Sequence, residues 1–352
     1  MSKIVHIVGT GTIGEPLIGL LADHREHWGI DEVTFHKRTP LVTERSKVND
    51  LVRRGAALTV DADKLATFEE LGHSPKYETM EALERATVVI DCTPVGNANK
   101  EELYRHLDTP IGFMAQGSEF GFGKMYARGI NDEALVQSDD KYLQIVSCNT
   151  HNISVLVKTL AMDSDGTSHL VDGRFLCIRR ANDISQDAGF VASPTVDKHK
   201  DERFGTHHAR DAHVLFSTLG HDLNLFSSSL KVNTQYMHSI HFSLTLDRDM
   251  TVEEAKERLS SNARVAITHK NSANSVFSFG RDHGYYGRIL SQTVVALDTL
   301  AVRNGNELVG FCFTPQDGNP MLSTVAAMLW YLDPETIDTK LDLLRRYLFR
   351  EV

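Results

Sequence analysis

The chain is 352 residues long, more than one hydrophobic core usually organises, so two domains are expected. Apolar residues make up 41% and charged residues 24%, the balance of a soluble globular protein, and the net charge of -10 argues against general affinity for nucleic acid or anionic membrane. No apolar run approaches the roughly 18 residues that span a bilayer, and the start Met1-Ser2-Lys3-Ile4 lacks the sections of a signal peptide. The four cysteines, Cys92, Cys148, Cys177 and Cys312, are too widely and irregularly spaced for a disulfide framework or a zinc motif. A cytoplasmic protein using no metal is the expectation, and any small anionic substrate would need locally concentrated cations.

Ile4-Val5-His6-Ile7-Val8 reads as a strand, followed at once by Gly9-Thr10-Gly11-Thr12-Ile13-Gly14 and a helical pattern at Leu17, Leu20 and Leu21. A G-x-G-x-x-G on a strand-to-helix turn points to a dinucleotide site. Gly9 permits the tight turn, Gly11 lets the backbone approach a pyrophosphate, and Gly14 lets the helix pack on the strand, while the N–H groups of Thr12 and Ile13 face the phosphates. A second strand, Glu32-Val33-Thr34-Phe35, ends in His36-Lys37-Arg38, where an NAD-selective site usually carries an acidic residue. Lys37 and Arg38 tilt the expectation toward NADP, or toward dual use of NADP and NAD.

Helical spacing follows from Thr43 to Arg54 and from Thr79 to Arg85; the apolar run Val88-Val89-Ile90 then closes on Asp91-Cys92-Thr93-Pro94 as a buried parallel strand would. Lys100 to Leu107 reads as helix, and Gly112-Phe113-Met114-Ala115 as a strand closing on Gln116-Gly117-Ser118. This alternation predicts an α/β chain with a doubly wound parallel sheet of Rossmann type, whose strand ends at Gly9, Thr93 and Gln116 share one cofactor rim.

The run Tyr142 to Val146 delivers Ser147-Cys148-Asn149-Thr150 onto the start of a helix carrying Ile153, Leu156, Val157 and Leu160. Unpaired N–H groups at a helix start favour a thiolate, which makes Cys148 a candidate nucleophile, although cysteine is also common as an inert core residue. Beyond it the pattern changes to longer strands in succession: Arg174 to Arg180, Leu223 to Val232, Met237 to Leu246, Arg264 to Thr268 and Glu307 to Phe313. A polar loop from Asn182 to Arg210 carries His207-His208, and a capping box at Thr251-Val252-Glu253-Glu254 opens a short helix. The expected organisation is a Rossmann domain over residues 1–147, an α+β catalytic domain with a mostly antiparallel sheet over 148–318, and C-terminal helices over 319–352 that pack back on the first domain.

These motifs resemble, in order and over most of the chain, the archaeal type of glyceraldehyde-3-phosphate dehydrogenase. The matching pieces are Gly9 to Gly14, Asp91 to Pro94, Gln116-Gly117-Ser118-Glu119, Val146 to Thr150, Arg179 to Asp183, His207-His208 with Asp211, and Met237-His238. The resemblance implies that Cys148 is the nucleophile and His238 the catalytic histidine, with Ser147, Asn149 and Thr150 beside the substrate. Arg179, His207, His208 and Ala209 would lie at the phosphates. Arg180 would contact cofactor or phosphate, and Gln116, Gly117, Ser118 and Gln316 the cofactor. It also implies a homotetramer acting in glycolysis and gluconeogenesis. His151-Asn152, Ala209-Arg210 and Asn233-Thr234-Gln235 depart from the family pattern near the expected phosphate pockets.

The chemistry implied is oxidation of an aldehyde phosphate. Thiolate attack makes the carbonyl carbon tetrahedral, loss of hydride to the nicotinamide leaves a thioester, and inorganic phosphate releases the acyl phosphate. His238 would take the hydroxyl proton and act as ion-pair partner of Cys148. The altered pocket residues keep open a semialdehyde dehydrogenase or acyl-CoA reductase on the same fold. A non-catalytic nucleotide-binding protein is a third possibility, disfavoured because Cys148 and His238 are both present.

Overall fold

The computed structural model describes residues 2–117, 119–184, 186, 189–315 and 317–352. Ser118 and Gln316, both expected at the cofactor, lie outside the described residues. The chain divides into two compact units: one holds the residues through Lys124 with Leu135–Ile145 and Thr324–Asp342, the other Met125–Ala134, Val146–Ser323 and Leu343–Val352. No helix among the described residues is long and apolar enough to cross a membrane.

The first sheet contains β1 (Ile4–Val8), β2 (Glu32–His36), β3 (Ala57–Val60), β4 (Tyr77–Glu78), β5 (Val88–Asp91), β6 (Gly112–Gln116), β7 (Lys124–Tyr126) and β8 (Tyr142–Ile145). Their order is β4-β3-β2-β1-β5-β6-β8-β7, and the pairings from β4 through β8 are parallel. β1 and β5 are buried along their whole length, as central parallel strands covered on both faces must be. Strand order reverses beside β1, so the loops after β1 and β5 flank the crevice where such sheets bind ligands. The two-residue strand β4 is too short to show a pattern in sequence.

A stacked aromatic column, Tyr104 on Phe113 on Tyr142 with centroids 5.1 Å apart at each step, fills one part of this core. It aims the Tyr104 hydroxyl at Asp91, a fully buried carboxylate at the end of β5. Asp91 accepts hydrogen bonds from the Tyr104 hydroxyl (2.6 Å), Asn99 Nδ2 (2.7 Å), and the Thr93 hydroxyl and amide (2.6 and 2.8 Å). Four donors replace the water that a buried carboxylate loses.

The second sheet contains β9 (Leu170–Arg179), β10 (Thr195–Val196), β11 (Leu225–Lys231), β12 (His238–Leu246), β13 (Val265–Thr268), β14 (Thr293–Arg303) and β15 (Glu307–Thr314), in the order β10-β11-β9-β12-β15-β14-β13. Four of its six pairings are antiparallel. The two parallel ones, β9 with β11 and β13 with β14, occur where a helix, His207–Ser217 or Ala273–His283, carries the chain back to the starting edge, as parallel neighbours require. His207-His208 therefore opens a helix rather than sitting in a polar loop. β14 is obscured in the sequence because its register shifts between Ala296 and Ala301, which interrupts the alternation of buried and exposed residues.

The helix Cys148–Ala161 packs on this sheet, with Ile153, Leu156, Val157 and Leu160 fully buried against Phe175, Ile240, Phe242 and Leu244. Alternate residues of β12 are buried from His238 to Leu246, so the strand period turns His238 to the same face as Ile240. Asp91→Ala removes the one acceptor shared by three side chains. It is expected to lower the thermal midpoint in differential scanning calorimetry by about 5 °C or more, from an estimated loss of about 3 kcal/mol.

Candidate active site

In the first unit, Gly9 has φ +95°, and its amide donates to the His36 carbonyl at 3.3 Å. A Cβ on Gly14 would lie 2.1 Å from the Gly9 carbonyl oxygen, so only glycine lets the helix Gly14–Asp23 start this close to β1; a Cβ on Gly11 would meet nothing within 4 Å. Ile13, at the cap position, supplies no side-chain cap. Among the described residues, the buried Thr12 Oγ1 has no hydrogen-bond partner. An uncapped helix start with an open face at Gly11 and an unpartnered hydroxyl fits a bound pyrophosphate. Thr93 and Gln116 lie at the neighbouring strand ends: Thr93 is tied to Asp91, and Gln116 Nε2 donates to Thr324 Oγ1 at 3.0 Å. Gly117 adopts φ +70° and its amide donates to the Ile145 carbonyl at 2.9 Å. Arg38 is exposed, whereas Lys37 is buried and paired with Glu44 at 2.5 Å.

In the second unit, Cys148 is the first residue of its helix and Ser147 the cap; Ser147 Oγ accepts from the Thr150 amide and lies 2.9 Å from the Thr150 hydroxyl. Ser147 and Thr150 thus hold the helix start. Asn149 is buried, its Oδ1 accepting from Thr314 Oγ1 at 3.2 Å, and Thr314 pairs with His238 across the β12–β15 ladder. Asn319 Nδ2 donates to the Cys148 carbonyl at 2.8 Å.

Burial pushes the Cys148 thiol up to about 12, with the Asp317 carboxylate adding to the rise; the Arg180 guanidinium and the Asn149 amide, whose N–H faces the sulfur, oppose it. The helix start is present as expected, but desolvation outweighs it at this thiol.

Arg180 is the neighbour common to Cys148 and His238. Only 3% exposed, it pairs with Asp183 at 3.2 Å and Asp317 at 3.4 Å, and Nη1 donates to the Tyr236 carbonyl. Its backbone amide donates to His238 Nδ1 at 2.9 Å. Burial, aided by the Arg180 and Arg179 charges, holds His238 well below the usual imidazole range, so the ring is neutral and its proton sits on Nε2. Asp317, at φ +69°, carried no sequence signal, because its role comes from the turn that seats it against Arg180.

A cavity of about 470 Å³ is lined by Arg179, Lys198, Lys200, His207 and Arg210, with Asp197 and Asp201 as counter-charges. Arg179 pairs with Asp197 at 3.2 Å. Lys198 and Lys200 were not candidates from sequence, since lysines in a polar loop look like any solvated surface. His207 begins its helix with its ring centroid 3.9 Å from that of His208. His208 is 4% exposed and, among the described residues, neither ring nitrogen has a hydrogen-bond partner; burial and the neighbouring His207 hold it well below its usual range. Ala209 is buried with its amide committed to Ser227 Oγ at 3.0 Å.

The departures from the family pattern have structural partners. His151 is fully buried, with Nδ1 at 3.1 Å from the Ser147 carbonyl and Nε2 at 2.8 Å from Ser323 Oγ. Asn152 bonds Thr314 and Cys312, and Gln235 braces Asn182 through both its amide atoms. Among the described residues, no group of three or more His, Cys, Asp and Glu is placed to hold a metal ion.

The parallel sheet with its glycine turn, and a second mixed sheet carrying a helix-start cysteine, define the class: an α/β protein of Rossmann type with a second, sheet-based unit. No family model matches the chain. Curated relatives named glyceraldehyde-3-phosphate dehydrogenase do. The protein of Methanobacterium formicicum is 28% identical over 274 residues, 75% of this chain and 74% of its own. That of Metallosphaera sedula is 27% identical over 73% of each chain, and that of Methanobrevibacter smithii 22% identical over 96% of each. The resemblance to the archaeal enzymes seen in the motifs therefore extends along most of the sequence.

If burial sets the Cys148 thiol, alkylation by iodoacetamide, followed at the Cys148 peptide by mass spectrometry, rises about tenfold per pH unit from 7 to 10 without a plateau. Asp317→Asn, lacking the carboxylate that disfavours the thiolate, reacts at least about threefold faster at pH 8.

Proposed function

We propose that the protein is a phosphorylating glyceraldehyde-3-phosphate dehydrogenase that uses NAD or NADP and passes through a thioester on Cys148. The observation that carries this is the arrangement around Arg180: a helix-start cysteine facing the Asn149 amide, and a neutral histidine held through Nδ1 by the Arg180 amide. The names of the curated relatives and the cationic cavity at Arg179 support the same reading.

The bound dinucleotide supplies the hydride acceptor. The Cys148 thiol gives up its proton to solvent hydroxide, and the thiolate then attacks the aldehyde carbon and moves the carbonyl electron pair onto oxygen. His238 in its resting tautomer offers Nε2–H, so its first task is to donate a hydrogen bond to that oxygen rather than to take a proton from it. The Asn149 N–H is a second donor beside the sulfur. Loss of hydride leaves the thioester, and inorganic phosphate then displaces the Cys148 thiolate to give the acyl phosphate. Arg179, Lys200 and His207 bind phosphate groups in the cavity, where anions replace the Asp197 pairing. His208, with both ring nitrogens unpartnered among the described residues, is a further ligand contact. In this reading His151 is structural and not a substrate group. The assembly is a homo-oligomer, a tetramer by the family resemblance.

Cofactor reduction at 340 nm is measured with glyceraldehyde 3-phosphate, with and without inorganic phosphate. Phosphate-dependent activity is expected in the wild type, falling below about one-thousandth in Cys148→Ser. Arg179→Gln is expected to raise the KM for phosphate or aldehyde about tenfold or more with a smaller change in kcat. Phosphate-independent turnover, or turnover only with coenzyme A as acceptor, favours the semialdehyde dehydrogenase or acyl-CoA reductase reading instead.

A further inference from the structure

The adenosine end of the dinucleotide site contains a carboxylate that the pattern of β2 does not reveal. Glu44 closes the 3-10 turn Val42–Glu44, just before the helix Arg45–Arg53. Its Oε2 lies 2.5 Å from Lys37 Nζ and its Oε1 2.9 Å from Lys47 Nζ. Lys47 reaches further, donating to the Thr10 carbonyl inside the glycine turn at 3.3 Å and pairing with Glu15 of the following helix at 3.3 Å. One carboxylate thus binds the cation at the end of β2 and a second cation anchored on the turn itself.

The end of β2 is where a dinucleotide site distinguishes a ribose 2′-hydroxyl from a 2′-phosphate. A hydroxyl donates to a carboxylate; a phosphate is repelled by it and needs free cations. Lys37 is 8% exposed and held by Glu44, so the basic pair Lys37-Arg38 offers only Arg38 as an exposed cation. We propose that Glu44 is the specificity-determining residue of this site. It accepts the ribose 2′-hydroxyl of NAD and, by holding Lys37 and Lys47, keeps both ammonium groups from a 2′-phosphate, so that NADP is admitted through Arg38 alone. The inference rests on the assignment of Gly9–Gly14 as a dinucleotide turn.

The test is isothermal titration of the full chain with NAD and with NADP, for the wild type, Glu44→Gln and Arg38→Gln. Glu44→Gln frees Lys37 and leaves Lys47 only Glu15 and the Thr10 carbonyl, and is expected to raise the NADP-to-NAD affinity ratio at least about tenfold. Arg38→Gln, on an exposed side chain with no role in the core, is expected to weaken NADP about tenfold and leave NAD within about twofold. An unchanged ratio in Glu44→Gln, or equal loss of both dinucleotides in Arg38→Gln, overturns the role of Glu44 while leaving the dinucleotide site intact. Failure of the folded wild type to bind either dinucleotide overturns the site assignment itself, and the inference with it.

Discussion

A guanidinium taken out of water must find both counter-charge and hydrogen-bond acceptors, and the second unit is arranged around one that does. Arg180 collects Asp183 from its own loop and Asp317 from the turn after β15, while its backbone amide takes the Nδ1 lone pair of His238. These contacts bring together the ends of β9, β12 and β15. They also set the electrostatics at Cys148, where Arg180 and Asp317 act in opposite directions on the thiol. Losing the contact to His238 would leave the buried Arg180 amide without its acceptor, while the two carboxylates share the guanidinium charge.

The first unit solves a related problem with a buried anion. Among the described residues no cation pairs with Asp91, and it accepts four hydrogen bonds, one of them from a tyrosine fixed by aromatic stacking. The consequence reaches the glycine turn: Thr93, held by Asp91, places its methyl group 3.0 Å from where a Cβ on Gly9 would stand. The crevice-side conformation of β1's turn and the loop after β5 are therefore set together.

Charge is placed unevenly in this chain of net charge -10. Cations are concentrated at Arg179, Lys198, Lys200 and Arg210, where Asp197 pairs with Arg179 and Asp211 with Arg210. Glu44 with Lys37 and Lys47 shows the same pairing beside the glycine turn. In both places a carboxylate within ion-pair distance lowers the desolvation cost of a partly buried cation.

Local pattern alone located the glycine turn, the apolar strands β1, β5 and β6, the helix after Cys148 and the extent of β12, because each depends on residues adjacent in sequence or on a repeat of two or 3.6. Lys37 and Arg38 were legible as a basic pair, and His207-His208 as a motif. That Lys37 is neutralised by Glu44, that His207 opens a helix, and that His151 is a core residue bonded at both nitrogens were not legible, since each depends on a partner set by folding. The thiol of Cys148 shows the division most clearly. Its place at a helix start follows from the sequence, but its proton affinity was decided by burial and by Asp317, 169 positions along the chain, because desolvation and Coulomb interaction act through space rather than along the backbone.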